Sequence, residues 1–286
     1  MNKFVVAVSG GVDSVVLLDM LVNKVLPIPH FPTPNPQYIV AHFDHGIRPD
    51  SAQDAEFVAG LAKEYGLPFE TKREELGPGA SEELARDRRY EFLRSVAKKH
   101  KAILVTAHHA DDVVETIAIN LLRGTGWRGL AVLDSDVYRP LTDMTKAEII
   151  DHAQKHKLQW HEDSTNASDD YLRNRVRKQT IGLDNDIKRQ LLALWVTQKS
   201  LKKHIDDEVA KLIGNGPDYS RYFFTYLDNT TAIEILRGVV GGRLTRPQLA
   251  KALHAIKTSL PSKIFQAGGG VNLRFTSRNF RVELIK

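Results

Sequence analysis

The sequence predicts an α/β protein whose first part is a parallel sheet covered by helices on both faces. Short, wholly apolar runs alternate with longer segments of helical spacing, the rhythm of strands joined by crossover helices. The glycines, histidines and acidic residues that break this rhythm gather just after the apolar runs, where such sheets bind ligands. Past about Trp160 the pattern changes to basic helices and then to strict two-residue alternation.

Phe4–Val8 is the first strand, ended by Ser9-Gly10-Gly11, and Val15–Val25 follows as a helix. Tyr38–Phe43 is the next strand. Ser51–Tyr65 reads as a helix stopped by Gly66, and Leu67–Thr71 as a further strand. Ser81–His100 is a long helix with Ser81 and Glu83 near its start. Ala102–Thr106 is another buried strand, and Asp112–Leu122 is the helix after it. The five prolines of Pro27–Pro36 make that stretch an extended surface loop. Glu162–Asp170 is polar and turn-like, and residues 171–213 read as basic helices. Val271, Leu273 and Phe275, then Phe280, Val282 and Leu284, alternate as a hairpin turning at Thr276–Asn279. The expected organisation is a catalytic domain over 1–185, a helical connector over 186–220 and a small basic α/β domain over 221–286.

Composition narrows the function classes. The 286 residues contain no cysteine, which excludes a disulfide scaffold, a thiolate-held iron–sulfur cluster, a cysteine zinc site and a thiol nucleophile. No apolar run approaches the roughly 18 residues of a membrane span. Met1–Asn2–Lys3 opens like a signal n-region, but only five apolar residues follow before Ser9. A cytoplasmic protein without membrane attachment is expected. Charge is uneven: residues 1–170 hold 19 Lys and Arg against 26 Asp and Glu, and residues 171–286 hold 21 against 9. Tyr171–Lys203 alone has nine basic and two acidic residues. A polyanionic partner accounts for that imbalance, since backbone phosphates are bound mainly by Lys and Arg; a solvated basic face accounts for it equally.

Ser9-Gly10-Gly11-Val12-Asp13-Ser14 lies between a strand and a helix. Glycines let backbone N–H groups approach phosphate oxygens, the hydroxyls add donors, and the helix N-terminus contributes its positive dipole. The segment lacks Gly-Lys-Ser/Thr and is not Gly-x-Gly-x-x-Gly, so neither the Walker loop nor the dinucleotide fingerprint applies. Asp13 inside a phosphate cradle repels the anion unless Mg²⁺ lies between them. A glycine turn with an Asp/Ser cap is the simpler alternative. Asp111, Asp112 and Glu115 stand at a helix start with spacings of three and four, so they share one face, where they also complement the dipole.

The hexapeptide resembles the S-G-G-x-D-S loop of the N-type ATP pyrophosphatases, the PP-loop superfamily. Further blocks are similar to one branch of it, the tRNA(Ile)-lysidine synthetases: His42-Phe-Asp44-His45-Gly46-Ile-Arg48-Pro49, Thr106-Ala-His108-His109-Ala-Asp111-Asp112-Val-Val-Glu115-Thr116 and Leu122-Arg123-Gly124-Thr-Gly126-Trp-Arg-Gly129-Leu. Ala85-Arg86-Asp-Arg-Arg89-Tyr90, Arg139-Pro140-Leu141 and Asn174-Arg175-Val-Arg177 fit the same pattern, in order, over roughly 60% of the chain. The resemblance implies an adenine-nucleotide α-hydrolase-like (Rossmann-like) fold and an ATP-dependent carbon–nitrogen ligase. Such an enzyme adenylates the wobble cytidine, position 34, of tRNA(Ile) with a CAU anticodon. The ε-amine of free L-lysine then expels AMP to give lysidine.

On that resemblance Ser9, Gly10, Gly11, Val12, Asp13, Ser14 and His42 bind ATP, and Asp13 also holds Mg²⁺. Asp112 and Glu115 hold the lysine ammonium and, with Asp13 and Arg89, are the catalytic set. Arg86, Arg173, Arg175 and Arg177 contact the tRNA. Lys146 and Glu148 match the family's segment after Pro-Leu without an assigned role. Longer family members carry an additional C-terminal domain, whereas residues 187–286 accommodate a connector and one small α/β unit.

Three other readings stand beside this one. His42, Asp44, His45, His108, His109, Asp111 and Asp112 carry the ligand types of a divalent-metal phosphohydrolase, which leaves the glycine loop without a task. Relatives that amidate small metabolites need a nitrogen source, and no glutaminase-like nucleophile is visible. A non-enzymatic nucleotide-binding regulator has no need of Asp13, Asp112 and Glu115 together. Sulfur-inserting relatives need the cysteines that are absent here.

Overall fold

A computed structural model of the chain describes residues 3–26, 35–47, 51–77, 79–133, 136–161, 172–214 and 216–285, with the side chains of residues 82, 172–174 and 181 left aside. The surface loop expected over most of Pro27–Pro36 and the polar turn expected at Glu162–Asp170 lie outside the described residues. Two compact units make up the chain, Met1–Lys199 and Ser200–Lys286.

The first unit is built on strands β1 (Lys3–Ala7), β2 (Gln37–Asp44), β3 (Phe69–Arg73) and β4 (Ile103–Val105). They form one sheet in the order β3-β2-β1-β4, every pair parallel. Helices α1 (Val12–Val22), α2 (Ser51–Glu64), α3 (Glu82–His100), α4 (Ala110–Leu122), α5 (Lys146–Lys155) and α6 (Leu172–Ile181) accompany it. Helix α7 (Asn185–Ile213), which occupies most of the expected connector, contributes its N-terminal part to this unit and the remainder to the second.

The alternation within β1 explains the two covered faces. Phe4, Val6 and Val8 pack with Leu17, Leu21, Val58 and Ile149 from α1, α2 and α5. Val5 faces the other way with Ile39, Phe43, Leu93 and Val96, the last two from α3. Both sets are essentially fully buried, and each large aliphatic side chain removed from water contributes about 1.5–3 kcal/mol. Helix α1 is apolar nearly all round because Ser14–Leu21 is wholly buried.

Expected and observed elements agree in kind and differ at their ends. The first helix begins at Val12 rather than Val15 and stops at Asn23, with Lys24 at φ 58°. Gly11, not a residue after the loop, is the N-cap, so the loop's last three residues are already the first helical turn. Ser81 caps α3 as its position suggests, accepting the Leu84 N–H at 3.1 Å.

The second unit contains β5 (Asp218–Ser220), α8 (Arg221–Tyr226), α9 (Asn229–Val239), α10 (Arg246–Thr258), β6 (Ile264–Gly268), β7 (Val271–Phe275) and β8 (Asn279–Leu284). Its sheet is antiparallel, in the order β5-β8-β7-β6. The hairpin turns where expected, Phe275 pairing with Phe280. Val271, Leu273, Phe275 and Phe280 enter a core with Phe224, Leu236 and Leu253. Leu284 departs from the expected alternation and is 54% exposed although its cross-strand partner Val271 is buried; it lies beyond the residues of β8 that pair with β5, Asn279–Arg281.

Candidate active site

The order β3-β2-β1-β4 reverses direction between β1 and β4, and in parallel sheets this switch point opens a crevice beyond the carboxyl ends. The segment after β1 and the segment after β4 meet there. The first is Ser9–Ser14. Gly10 sits at φ +96°, a conformation side chains avoid, and its carbonyl accepts the His161 N–H at 3.0 Å. Ser14 is buried and holds the loop's shape: its Oγ donates to the Gly11 carbonyl at 2.8 Å and accepts the Ser9 N–H at 3.1 Å. Ser9 is exposed, its Oγ 3.2 Å from that of Ser14. Gly11 caps α1 without a side-chain cap bond, and in the first turn of the helix the Ser14 N–H donates to the Gly11 carbonyl at 3.1 Å. Val12 opens that turn.

The segment after β4 carries Thr106 to Glu115. His109 is the N-cap of α4, and its N–H donates to Asp112 Oδ2 at 3.0 Å. Asp13 on α1 pairs with the Lys146 ammonium and stands 3.9 Å from His109 Nε2. Lys146 therefore joins both segments, because its backbone N–H also donates to Asp111 Oδ2 at 2.8 Å. Lys188 donates to the other Asp111 oxygen at 3.0 Å. Burial works to raise the Asp111 carboxyl, but these two donors outweigh it and hold it below the usual range.

Glu115 is 3% exposed. Its charge is met by Arg177, whose Nε donates to Oε1 at 2.8 Å and whose Nη2 lies 3.4 Å from Oε2; Nη2 is also 4.0 Å from Asp112 Oδ1. Burial opposes the Arg177 charge, and Glu115, then Asp112 and Asp13, more than restore it. Arg177, expected on the tRNA surface, thus sits among the carboxylates. Arg175 is exposed, and the side chain of Arg173 lies outside the described residues.

His42 is 3% exposed; Nδ1 contacts the Val8 carbonyl at 2.9 Å, and Nε2 is buried with no hydrogen-bond partner. With Nδ1 donating to that carbonyl, the neutral ring presents Nε2 as an acceptor. His108 Nδ1 bonds Thr106 Oγ1 at 2.9 Å, and Asp44 accepts the Gly46 N–H and pairs with Arg73. Of the residues in the phosphohydrolase reading, His109 lies 3.7 Å from Asp111 and 3.6 Å from Asp112, while His42, Asp44 and His108 bond elsewhere. Among the described residues they form no group with mutually adjacent ligand atoms; the only such group lies elsewhere, at Asp19, His152 and His156.

Further along the same face of α4 a cavity of about 410 Å³ is lined by Arg86, Asp87, Arg94, Thr116, Asn120 and Arg139. Arg86, Arg89 and Arg94 surround the Tyr90 ring with guanidinium carbons 5.1, 5.6 and 5.5 Å from its centroid. Thr116 follows Asp112 by one turn and donates to its carbonyl at 2.6 Å, so the cavity begins one turn along the helix from Asp112. Sequence reasoning named Arg86 and Arg89, and quoted Arg139 in a family block without giving it a role, but missed Lys188 and Arg94 as neighbours of the site. The only signal for Lys188 was its place in the basic stretch Tyr171–Lys203.

Comparison with known proteins identifies the family and the fold. Residues 1–183 match the PP-loop domain family. The chain is 39% identical over 194 residues to a bifunctional protein TilS/HprT of Listeria monocytogenes, a match covering 63% of this chain and 29% of that protein. It is 30% identical over 294 residues to the tRNA(Ile)-lysidine synthase of Thermotoga maritima, covering 96% of this chain and 68% of that one. The U34-tRNA thiolase NcsA of Methanococcus maripaludis shares the fold, with a TM-score of 0.58 at 20% identity over 71% of this chain and 73% of that chain. The chain thus spans less than a third of the Listeria relative's length. Among the described residues, no helix is long and apolar enough to cross a membrane. With its glycine loop and carboxylate helix meeting at the switch point of a parallel sheet, the chain belongs to the tRNA(Ile)-lysidine synthase family of PP-loop ATP pyrophosphatases.

Proposed function

We propose that this chain converts the wobble cytidine of tRNA(Ile) with a CAU anticodon to lysidine, using ATP and free L-lysine. The observation that carries the reading is the continuity of two sites through Lys146, which pairs with Asp13 in the phosphate loop and bonds Asp111 at the start of the carboxylate helix. This continuity supports a nucleotide and an amine substrate on either side of one crevice.

ATP fits the loop: Ser9, Gly10, Gly11, Val12 and Ser14 present a helix N-terminus and a hydroxyl to its phosphates, and His42 Nε2 offers the buried acceptor described above. Mg²⁺ fits as well, because it binds through one or two carboxylates plus phosphate oxygens, and Asp13 is the carboxylate within the loop. When bound, the ion neutralises phosphate charge. In the first step cytosine O2 attacks the α-phosphorus and the bond to pyrophosphate breaks. Lys146 lies beside the phosphate site, where its ammonium stabilises the departing charge. In the second step the lysine ε-nitrogen attacks C2, the C2–O bond breaks and AMP leaves.

Asp112 and Glu115 receive the lysine ammonium, which competes with Arg177 for Glu115. Holding the ammonium between carboxylates positions it and provides a route for the proton it loses. The arginine-lined cavity begins one turn along α4 from Asp112, so a free amino acid can set its ammonium at the carboxylates and its α-carboxylate toward Arg86, Arg94 or Arg139. Arg89, in the same cluster, adds positive charge near the reacting nucleotide. Arg86, Arg173 and Arg175, with the basic second unit, serve the tRNA backbone.

The test measures pyrophosphate release from ATP with Mg²⁺ and lysine, with and without unmodified tRNA(Ile) bearing CAU, together with entry of radiolabelled lysine into the RNA. Release that requires the tRNA and is matched by lysine incorporation supports the reading. Release without tRNA points to small-molecule adenylation, and ATP binding without release points to a regulator.

A further inference from the structure

One group of side chains takes no part in this chemistry. Asp19 on α1 and His152 and His156 on or at the end of α5 each offer one ligand atom, and the three atoms lie within 4.8 Å of one another. Asp19 is 3% exposed. Its Oδ1 accepts from Asn23 Nδ2 at 2.8 Å and from the Tyr65 hydroxyl at 2.9 Å, while Oδ2 faces His152 Nε2 at 2.8 Å. Oδ1 is thus satisfied by two donors that fix the direction of Oδ2, as outer partners do for a ligating carboxylate. His152 and His156 are one turn apart, their rings 4.1 Å between centroids and 14° from parallel.

We propose that Asp19, His152 and His156 form a binding site for a divalent transition metal, with Zn²⁺ as the best match. Two imidazoles and one carboxylate are the donors such ions take, whereas Mg²⁺ and Ca²⁺ take oxygen. Bonds of about 2.0–2.2 Å place the donors of one tetrahedral ion roughly 3.3 Å apart. His156 is exposed and supplies the movement that closes the set, leaving a fourth position for water. The ion takes the place of the proton between His152 Nε2 and Asp19 Oδ2, and that proton passes to solvent.

The site has a structural consequence. Asp13 pairs with Lys146 and Asp19 with His152, both at a separation of 133 residues. Helices α1 and α5 therefore run side by side in the same direction, and the second pair lies six residues, about 9 Å, along each helix from the first. An ion at Asp19 clamps the two helices whose first turns hold Asp13 and Lys146.

Calorimetric titration of the metal-free full chain with Zn²⁺, with Co²⁺ absorption as a second probe, tests the proposal. One ion per chain is expected, with a Tm that rises with Zn²⁺ concentration. His156→Ala is expected to weaken binding at least about tenfold while leaving the metal-free Tm unchanged, because the side chain is exposed. Asp19→Asn is expected to weaken it too; if that variant does not fold, His156→Ala decides alone. No saturable binding at micromolar Zn²⁺, or equal affinity in His156→Ala, overturns the proposal.

Discussion

Arg177 on α6 donates from Nε to Glu115 on α4 at 2.8 Å, joining two helices 62 residues apart. The carboxylate is almost wholly buried and the guanidinium about one-third exposed. A buried charge deprived of its partner is costly, while removal of both partners is much less so. Arg177→Ala should therefore destabilise the chain by about 2–3 kcal/mol after allowance for the exposed side of the pair. The double variant with Glu115→Gln should recover part of the loss. Urea unfolding of the four-member cycle measures the coupling, and additive losses would contradict it.

Lys146 is the link between the phosphate loop and the carboxylate helix. Lys146→Ala should raise the KM for ATP at least about tenfold, the scale of one charged hydrogen bond. Lysine KM should change less. Initial rates of pyrophosphate release at varied ATP give the answer.

Asp112 and Glu115 are assigned to the amine substrate. Asp112→Asn and Glu115→Gln should each raise the lysine KM far more than the ATP KM. Steady-state incorporation of labelled lysine separates the two, and an unchanged lysine KM removes the assignment.

Burial pushes the His108 imidazole down to about 3; Asp112 pulls the other way, and Arg139, Arg86 and Arg89 add to the depression. Between about 3 and 6.5 the unfolded chain takes up this proton and the folded one does not. The contribution of His108 is complete above about 6.5 and is lost as pH falls toward 3, by up to about 1.4 kcal/mol per pH unit. His108→Asn should flatten the pH dependence of stability across that window. The ring's NMR shifts should be those of a neutral imidazole at pH 5.

Gly10 tests backbone against contact. An added Cβ meets Phe57 and Val58 at ordinary distances of 3.6 and 3.7 Å, so the cost of Gly10→Ala comes from φ +96°. A loss of about 1 kcal/mol, or about 2–4 °C in Tm for a unit of this size, should come with a raised KM for ATP. An unchanged Tm by calorimetry would show that the loop relaxes freely.

The sheet was legible because each position of Phe4–Val8 is apolar and must be covered on both sides, which only a helix-flanked parallel sheet provides. The glycine loop was legible because its six residues are contiguous and owe their geometry to one another. The helix ends were less so: Val12 belongs to α1 because Gly11 caps it, a fact of backbone conformation that periodicity does not register.

The amino-acid order by itself determined the alternating strands and helices, the phosphate loop and the placing of acidic residues at the start of α4, all consequences of interactions within a few residues. Which cation meets which carboxylate was decided by the tertiary structure alone. Lys146 reaches Asp13 across 133 residues, Arg177 reaches Glu115 across 62, and Asp19 meets His152 across 133. Charges near in space and far in sequence leave no periodic trace, so only the packing of α1, α4, α5 and α6 around the sheet selects these partners from the many that charge alone allows.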